Sequence, residues 1–263
     1  MDAMQLLYQS TLIVAAVANL VMAASLLVRQ KEYRNYVIYS RARQFTVLWL
    51  LVFAAGYLIH AIFQLRAFWP TAASALTVTY FQLGAICFCW GYIPLLKPDY
   101  LTKRIAVRDT IIYAISIIGC WTVALIWQQA SLYTFLPFLV FFGFCAYNAV
   151  VFYKIFHQVS YRLMVMSYGN VSGFVRWMQA SCDIIIFFGI FCVALTALFP
   201  SSIRYITPAE TLLGIGLFGY IVYSISRYGK VVATASRATE DVAKEPYSPL
   251  FKGRENTKRA PKL

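Results

Sequence analysis

Seven apolar stretches of about 20 residues constrain the fold of this chain more than any other feature. A helix of that length crosses the roughly 30 Å of hydrocarbon in a bilayer. β-Branched, aromatic and leucine residues mix within each stretch without strict alternation, which favours helices over the strands of a membrane barrel. The predicted spans are Leu6–Val28, Phe45–Ile62, Ala72–Leu95, Thr110–Trp127, Tyr133–Tyr153, Trp177–Phe199 and Pro208–Arg227.

The composition excludes most other classes of protein. Of 263 residues, 61% are hydrophobic and 13% are charged, whereas a soluble domain has about 45–50% apolar and about 25% charged residues. No soluble core is large enough to hide that excess, so a soluble enzyme, a secreted disulfide scaffold and a disordered chain are excluded. We therefore expect an all-α polytopic membrane protein, a seven-transmembrane helix bundle.

The basic residues predict how the bundle is oriented. If the N-terminus lies outside, 21 of the 23 Lys and Arg residues fall on the cytosolic side, and only Arg66 and Arg204 fall outside. Such asymmetry follows the positive-inside rule and predicts an outer N-terminus and a cytosolic C-terminus. The net charge of +13 is then a topology signal, and it does not indicate a nucleic-acid-binding surface.

The chain divides by composition into two parts. Residues 1–230 form the predicted seven-transmembrane domain, and residues 231–263 form a polar, basic segment with three prolines. We expect this segment to be a flexible cytosolic tail that lies near the anionic inner leaflet. The longest connection, Lys154–Arg176, is long enough to carry a helical extension on the cytosolic side.

Asp183 is the first candidate functional residue, because it is the only carboxylate well inside a predicted span. An ionisable group in that position is costly and is often functional. Arg176 lies on nearly the same helix face, and Tyr147 and Asn148 of the fifth span are expected at similar depth. These residues predict an intramembrane polar cluster. Two interpretations stay open: a hydrogen-bonded aspartate that joins spans five and six, or a proton-coupled or switching group.

A second candidate site lies near the predicted outer surface. His60 falls near the outer end of the second span, and Gln64 follows one turn later. Tyr80 and Gln82 come from the outer half of the third span, so the four side chains could line a pocket open to the outside. The alternative is that His60 only bonds a neighbouring helix.

The remaining candidates give no sign of a cofactor. Glu210 falls at the predicted start of the seventh span, where a carboxylate complements the helix dipole, so we expect a capping role. The seventh span has no central lysine for retinal, and His60 and His157 lie on opposite sides of the membrane, which excludes a shared haem or a three-histidine zinc site. We expect no cofactor, no metal, no catalytic residue and no enzymatic activity.

Two stretches resemble a known family. One is the exit from the third span, Pro94–Arg104, and the other is the start of the sixth, Arg176–Met178 followed by Ile184–Gly189. They are similar to a family of poorly characterised bacterial seven-helix membrane proteins, which often carry an AraC-like helix-turn-helix domain after the last helix. The resemblance covers about residues 1–230 and implies a membrane-embedded sensory or regulatory module. No helix-turn-helix pattern follows Lys230, so direct nucleic-acid binding is not expected of this chain.

These observations lead to one functional expectation and two alternatives. We expect an integral sensory or regulatory, receptor-like protein of the bacterial inner membrane that signals through its cytosolic loops and tail. Its basic cytosolic face would meet a membrane or cytosolic protein partner, and its ligand is not identified by the sequence. The alternatives are a small-solute or proton-coupled transporter that uses Asp183, and a structural or assembly subunit of a membrane complex.

Overall fold

The computed structural model describes residues 3–28, 30–126, 135–166, 172–199 and 203–244. All regular structure in this part of the chain is helical, and seven of the helices are long and apolar enough to cross a membrane. The predicted all-α class and the count of seven spans are confirmed. The helices are α1 (Ala3–Val28), α2 (Val37–Phe63), α3 (Leu65–Phe68), α4 (Pro70–Leu96), α5 (Lys103–Ile126), α6 (Phe135–Met166), α7 (Ser172–Leu198) and α8 (Ile203–Lys244), with a 3₁₀ helix at Gln30–Tyr33.

Four helices, α2, α5, α7 and α8, begin five to eight residues earlier than predicted. Helix α5 begins at Lys103 instead of Thr110, and α8 begins at Ile203 instead of Pro208. Hydropathy marks only the apolar middle of a membrane helix, whereas the hydrogen-bonded backbone continues through flanking polar residues. The predicted starts were therefore the starts of the apolar stretches and not of the helices.

The earlier starts change where the carboxylates lie. Asp109 stands in the second turn of α5 and Glu210 two turns into α8, and both are buried while Asp183 is half-buried. The structure therefore buries two carboxylates, Asp109 and Glu210, more deeply than Asp183. The predicted capping role of Glu210 is wrong, because the first turn of α8 lies well before it.

Two helices also continue beyond their predicted ends. Helix α6 runs past Tyr153 to Met166, which confirms the expected helical extension in this connection. Helix α8 passes the predicted domain boundary at residue 230 and continues to Lys244 through a stretch with neither glycine nor proline. By compactness the chain divides into the units Met1–Ile225 and Ser226–Leu263. The rest of the predicted flexible tail, residues 245–263, lies outside the described residues.

Helix α4 is the central helix of the first unit, with α2, α5, α6 and α7 packed around it. Glycine lets α2 and α4 approach closely. A Cβ atom at Gly84 would lie 2.7 Å from Cε2 of Phe53, and one at Gly56 would lie 2.5 Å from Cδ1 of Tyr80. Small residues at such crossings allow tight helix packing within a bilayer, where apolar surface alone gives little drive for association.

Four phenylalanines close the middle of the bundle, and we call them the aromatic layer. Ring centroids are 5.0 Å apart for Phe53 and Phe81, 6.4 Å for Phe81 and Phe188, 5.8 Å for Phe188 and Phe218, and 5.2 Å for Phe218 and Phe53. Each ring comes from a different helix (α2, α4, α7 and α8), and the contacts form a closed circuit. Such edge and tilted contacts add stability beyond the area they bury.

The connection between α2 and α4 positions a charged side chain. Gln64 adopts a left-handed conformation (φ 49°) and ends α2, after which α3 makes a single turn and Pro70 opens α4. The chain therefore reverses within a few residues, and Arg66 of α3 is turned back toward the bundle. We call this the Trp69 end, which the sequence predicts to be outside, and the opposite end, at the connection from α4 to α5, the Tyr100 end.

Candidate functional site

A pocket near the Trp69 end contains three ionisable residues, and we call it the charged pocket. Its walls come from α1, α2, α4, α7 and α8, with Arg66 added by α3. Its empty space is about 360 Å³, but side chains divide that space into small parts. The pocket therefore admits roughly one or two water-sized molecules unless side chains move. The lining residues are Tyr8, Leu12, Tyr57, His60, Arg66, Thr77, Tyr80, Phe81, Phe188, Cys192, Thr196, Thr207, Glu210 and Thr211.

Arg66 is held by hydroxyl groups in this pocket. Its Nη2 donates to Oγ1 of Thr77 at 3.2 Å and to Oγ1 of Thr196 at 3.4 Å, and so it connects α4 with α7. No ion pair joins it to Glu210, since Arg108 and Asp109 form the one ion pair found within the described ranges. The pocket thus holds a guanidinium and a carboxyl group that no ion pair joins.

His60 and Glu210 each keep a polar atom without a partner in the protein. His60 is 1% exposed, its Nε2 lies 3.3 Å from Oγ1 of Thr77, and its Nδ1 has no hydrogen-bond partner. Glu210 is 8% exposed, and its Oε1 has none. An unsatisfied buried polar atom costs about 1–3 kcal/mol, and more when charged. The unbonded atoms lower the stability of the fold, and they are placed to bond a small polar ligand.

Of the four residues predicted to line an outer pocket, two line the charged pocket and two do not. His60 and Tyr80 line the charged pocket. Gln64 instead ends α2, and its Oε1 accepts from Nε2 of Gln5 at 3.3 Å. Gln82 is fully buried with neither amide atom bonded in the protein, and it does not line the charged pocket. The reason is helical geometry, because Gln82 lies about 200° around α4 from Tyr80.

Sequence reasoning missed Arg66 and Glu210. Arg66 was assigned to an outer loop, and Glu210 to a helix start. A usable signal was present in α8, where Thr207, Glu210 and Thr211 occupy one face at helical spacing within an apolar stretch. A polar stripe of that kind on a membrane helix faces the bundle interior and not lipid.

The predicted cluster around Asp183 is not assembled as expected. The hydroxyl of Tyr153 donates to Oδ1 of Asp183, so the aspartate does join α6 to α7. Tyr147 instead accepts from Nη1 of Arg108 at 2.6 Å, and Nδ2 of Asn148 donates to the carbonyl of Phe144 at 2.8 Å.

Register explains this correction. Helices α6 and α7 are packed together, and the Tyr153 bond fixes which residues share a level. Tyr147 stands six residues from Tyr153 along α6, and so about 9 Å away along the helix axis. Arg176, the fourth predicted member, has an exposed side chain.

The buried charge at the Tyr100 end belongs to a different group, which we call the aspartate cluster. Asp109 is fully buried and accepts from Nε1 of Trp90 at 2.9 Å. Its other oxygen accepts from Nε and Nη2 of Arg108 at 2.9 and 2.7 Å. Arg108 also bonds Tyr147 and lies 4.8 Å from its ring centroid. Charge-assisted bonds of this kind are strong, and both carboxylate oxygens are occupied.

An apolar cavity of about 560 Å³ lies on the other side of the aromatic layer from the charged pocket. Phe81 and Phe188 line both spaces, so the aromatic layer separates them. Asn148 and Cys182 are among the residues around the apolar cavity.

Comparison with known proteins gives no match to a family model, a curated protein or a solved structure. The resemblance to bacterial seven-helix proteins stays a prediction. Within the described ranges, no three His, Cys, Asp or Glu residues stand close enough to hold a metal ion. The charged pocket is therefore interpreted from its own geometry.

Proposed function

We propose that this chain is a sensory or regulatory, receptor-like protein of the bacterial inner membrane, in which the charged pocket receives a small polar ligand from the outer side. The observation that carries the proposal is the pair of buried, unpartnered atoms, Nδ1 of His60 and Oε1 of Glu210, beside the Arg66 guanidinium. A bound ligand would satisfy groups that the protein leaves without partners.

The closed aromatic layer favours a receptor over a conduit. A transported solute must leave on the opposite side, and the four rings block that path from the charged pocket. A ligand bound above them can still shift the helices, provided that it binds one arrangement more tightly than another.

Helices α7 and α8 offer the mechanical connection. Thr196 and Cys192 of α7 and Glu210 of α8 line the pocket, and the same helices carry Phe188 and Phe218 of the aromatic layer. A ligand that draws Glu210 toward Arg66 would move the rings, and with them the α6–α7 pair joined by Tyr153 and Asp183. The signal would then leave through the predicted cytosolic loops and tail, toward a protein partner.

A tethered occupant tests this proposal without knowledge of the ligand. Cys192 lines the charged pocket, so 2-aminoethyl methanethiosulfonate would attach a small ammonium group inside it. The experiment uses a variant that keeps Cys192 and has alanine at the other five cysteines, in nanodiscs, with hydrogen exchange followed by mass spectrometry. We expect altered exchange at the Tyr100 ends of α6 and α7 in this variant.

The matched control keeps only Cys120, which is buried in α5 and lines neither cavity. Treating it should leave exchange in α6 and α7 unchanged. Adding Glu210→Gln to the Cys192 variant should remove the response. Complete modification of Cys192 with no change beyond the aromatic layer would contradict the receptor proposal.

A second candidate function is the small-solute or proton-coupled transporter, favoured by the half-buried Asp183 beyond the aromatic layer. This alternative predicts that Asp183→Asn abolishes uptake into vesicles while expression stays normal. The receptor proposal predicts no proton-driven uptake by the wild type or by the Asp183→Asn variant. Normal flux in the Asp183→Asn variant would exclude the proposed transport mechanism.

A further inference from the structure

A shallow groove lies on the outer surface of α5 near the Tyr100 end. It is lined by Lys103, Arg104, Val107, Arg108, Ile111 and Ile112. These positions follow one another at three- and four-residue steps, so they share one face of the helix. The groove therefore combines basic groups at one end with apolar side chains along its length.

The basic end carries charge that the protein does not neutralise. Arg108 is paired with Asp109, but Lys103 and Arg104 are exposed and make no ion pair within the described ranges. Both stand in the first turn of α5, at the edge of the apolar stretch. Two free cations at the border of a membrane span match the position of a lipid phosphate.

The apolar face beyond them has the length of an acyl chain in one leaflet. Val107, Ile111, Ile115 and Ile118 are all more than half exposed, and they follow one another along the same side of α5. From Val107 to Ile118 the helix rises about 16 Å, close to half of the roughly 30 Å hydrocarbon thickness. Charge and apolar surface are thus spaced like the headgroup and chain of a single lipid.

We infer that this groove is a binding site for an anionic phospholipid, with the headgroup on Lys103 and Arg104 and an acyl chain along Val107 and Ile111. A neutral lipid would fill the apolar part equally well but would leave both cations without a counter-charge. A free phosphate ion would satisfy the cations but would gain nothing from the apolar face. The combination selects an anionic lipid.

The inference is tested by lipid quenching on the full chain in detergent. A bimane on Ile115→Cys, in a variant with alanine at the six native cysteines, reports the acyl region. The quenchers are phosphatidylglycerol and phosphatidylcholine that carry the same nitroxide on the acyl chain. Each basic side chain near an anionic surface adds roughly fivefold to affinity. We therefore expect phosphatidylglycerol to quench at a concentration at least about fivefold lower.

The double variant Lys103→Gln/Arg104→Gln should lose this preference and give equal half-quenching concentrations for the two lipids. The matched control, Lys31→Gln/Arg34→Gln, removes two exposed charges that do not line the groove, and it should keep the preference. Salt at 0.5 M should weaken the preference in the wild type, because exposed charges are screened.

Several outcomes would overturn the inference. Equal quenching by both lipids in the wild type would remove the role of charge. If both double variants lose the lipid preference equally, the preference comes from the overall surface potential and not from a binding site in the groove. Displacement of the quencher by inorganic phosphate would identify a free-anion site, and a crosslink from the groove to a second copy of the chain would identify a protein interface.

Discussion

The charged pocket and the aspartate cluster both bury charge, but they treat it in opposite ways. In the aspartate cluster both oxygens of Asp109 are bonded, to Trp90 and to a neighbouring guanidinium. In the charged pocket Arg66 bonds two threonines, while Oε1 of Glu210 has no partner in the protein. The first arrangement is complete by itself, whereas the second has bonding capacity left over.

This difference predicts that the aspartate cluster contributes mainly to stability and the charged pocket mainly to ligand binding. A fully bonded buried carboxylate is destabilising to remove, because the partly desolvated donors that it bonded lose their acceptor. A carboxylate without an ion-pair partner contributes little to stability, so its removal should cost little. Its bonding capacity contributes free energy only when a ligand binds. The comparison therefore predicts large stability effects at the Tyr100 end and small ones at the Trp69 end.

The largest effect is expected from Asp109→Ala. It leaves Nε1 of Trp90 and two guanidinium nitrogens of Arg108 without their acceptor. The Arg108 side chain is 36% exposed and can bond water, so the free energy of unfolding should fall by roughly 1–3 kcal/mol. The control Asp99→Ala removes an exposed carboxylate near the same end and should cost less than about 0.5 kcal/mol. SDS titration followed by circular dichroism measures both, and equal small losses would contradict the comparison.

Double-mutant cycles give the next largest contrast. The coupling energy between Arg108→Gln and Asp109→Asn should be about 1–3 kcal/mol, as for residues in direct contact. The coupling between Arg66→Gln and Glu210→Gln should be smaller than this, since these two form no ion pair. The same SDS titration applies, and couplings of similar size would show that the two sites are alike.

A smaller loss is expected from Tyr153→Phe, which removes one hydrogen bond to Asp183. A single bond of this kind contributes about 0.5–1.5 kcal/mol, so unfolding should become easier by that amount. Tyr161→Phe is the matched control, because its side chain is exposed on the same helix. If both variants are equally stable, the bond contributes nothing to the packing of α6 on α7.

The smallest effect is expected from Glu210→Gln. The substitution keeps the shape and removes the charge of a side chain whose Oε1 has no protein partner, so stability should change by less than about 0.5 kcal/mol or rise slightly. The unfolding titration checks this prediction. A loss above about 2 kcal/mol would mean that the carboxylate holds the fold together, and the pocket would lose its interpretation as a binding site.

Much of the fold was predictable because apolar length is a direct physical requirement of a membrane span. All seven helices were located from the sequence, but the starts of α2, α5, α7 and α8 were placed five to eight residues too late. Hydropathy reports where lipid is, whereas a helix ends where its backbone hydrogen bonds end. Those few residues decided whether Asp109 was assigned to a helix or to a connection, and whether Glu210 was assigned to the start or the interior of its helix.

The site was harder to predict, because it depends on register between helices. His60 and Tyr80 were grouped correctly from their similar depth. Placing Glu210 beside them requires knowledge of which face of α8 points into the bundle. Predicting the hydrogen-bond partner of Asp183 requires the register of α6 against α7. Placing Arg66 in the pocket requires knowledge of the chain reversal at Gln64. That reversal depends on the left-handed conformation of Gln64 itself, which no sequence pattern indicated.

The most direct test of the central claim is the reactivity of Cys192 from each side of the membrane. In cells and in inverted vesicles, a variant that keeps only Cys192 is treated with impermeant 2-sulfonatoethyl methanethiosulfonate, beside a variant that keeps only Cys182 of the apolar cavity. We predict modification of Cys192 from outside only, at least about tenfold faster than Cys182, because rates follow access. Reaction of Cys192 from the cytosolic side, or equal reaction of both cysteines, would contradict an outward-facing pocket closed by the aromatic layer.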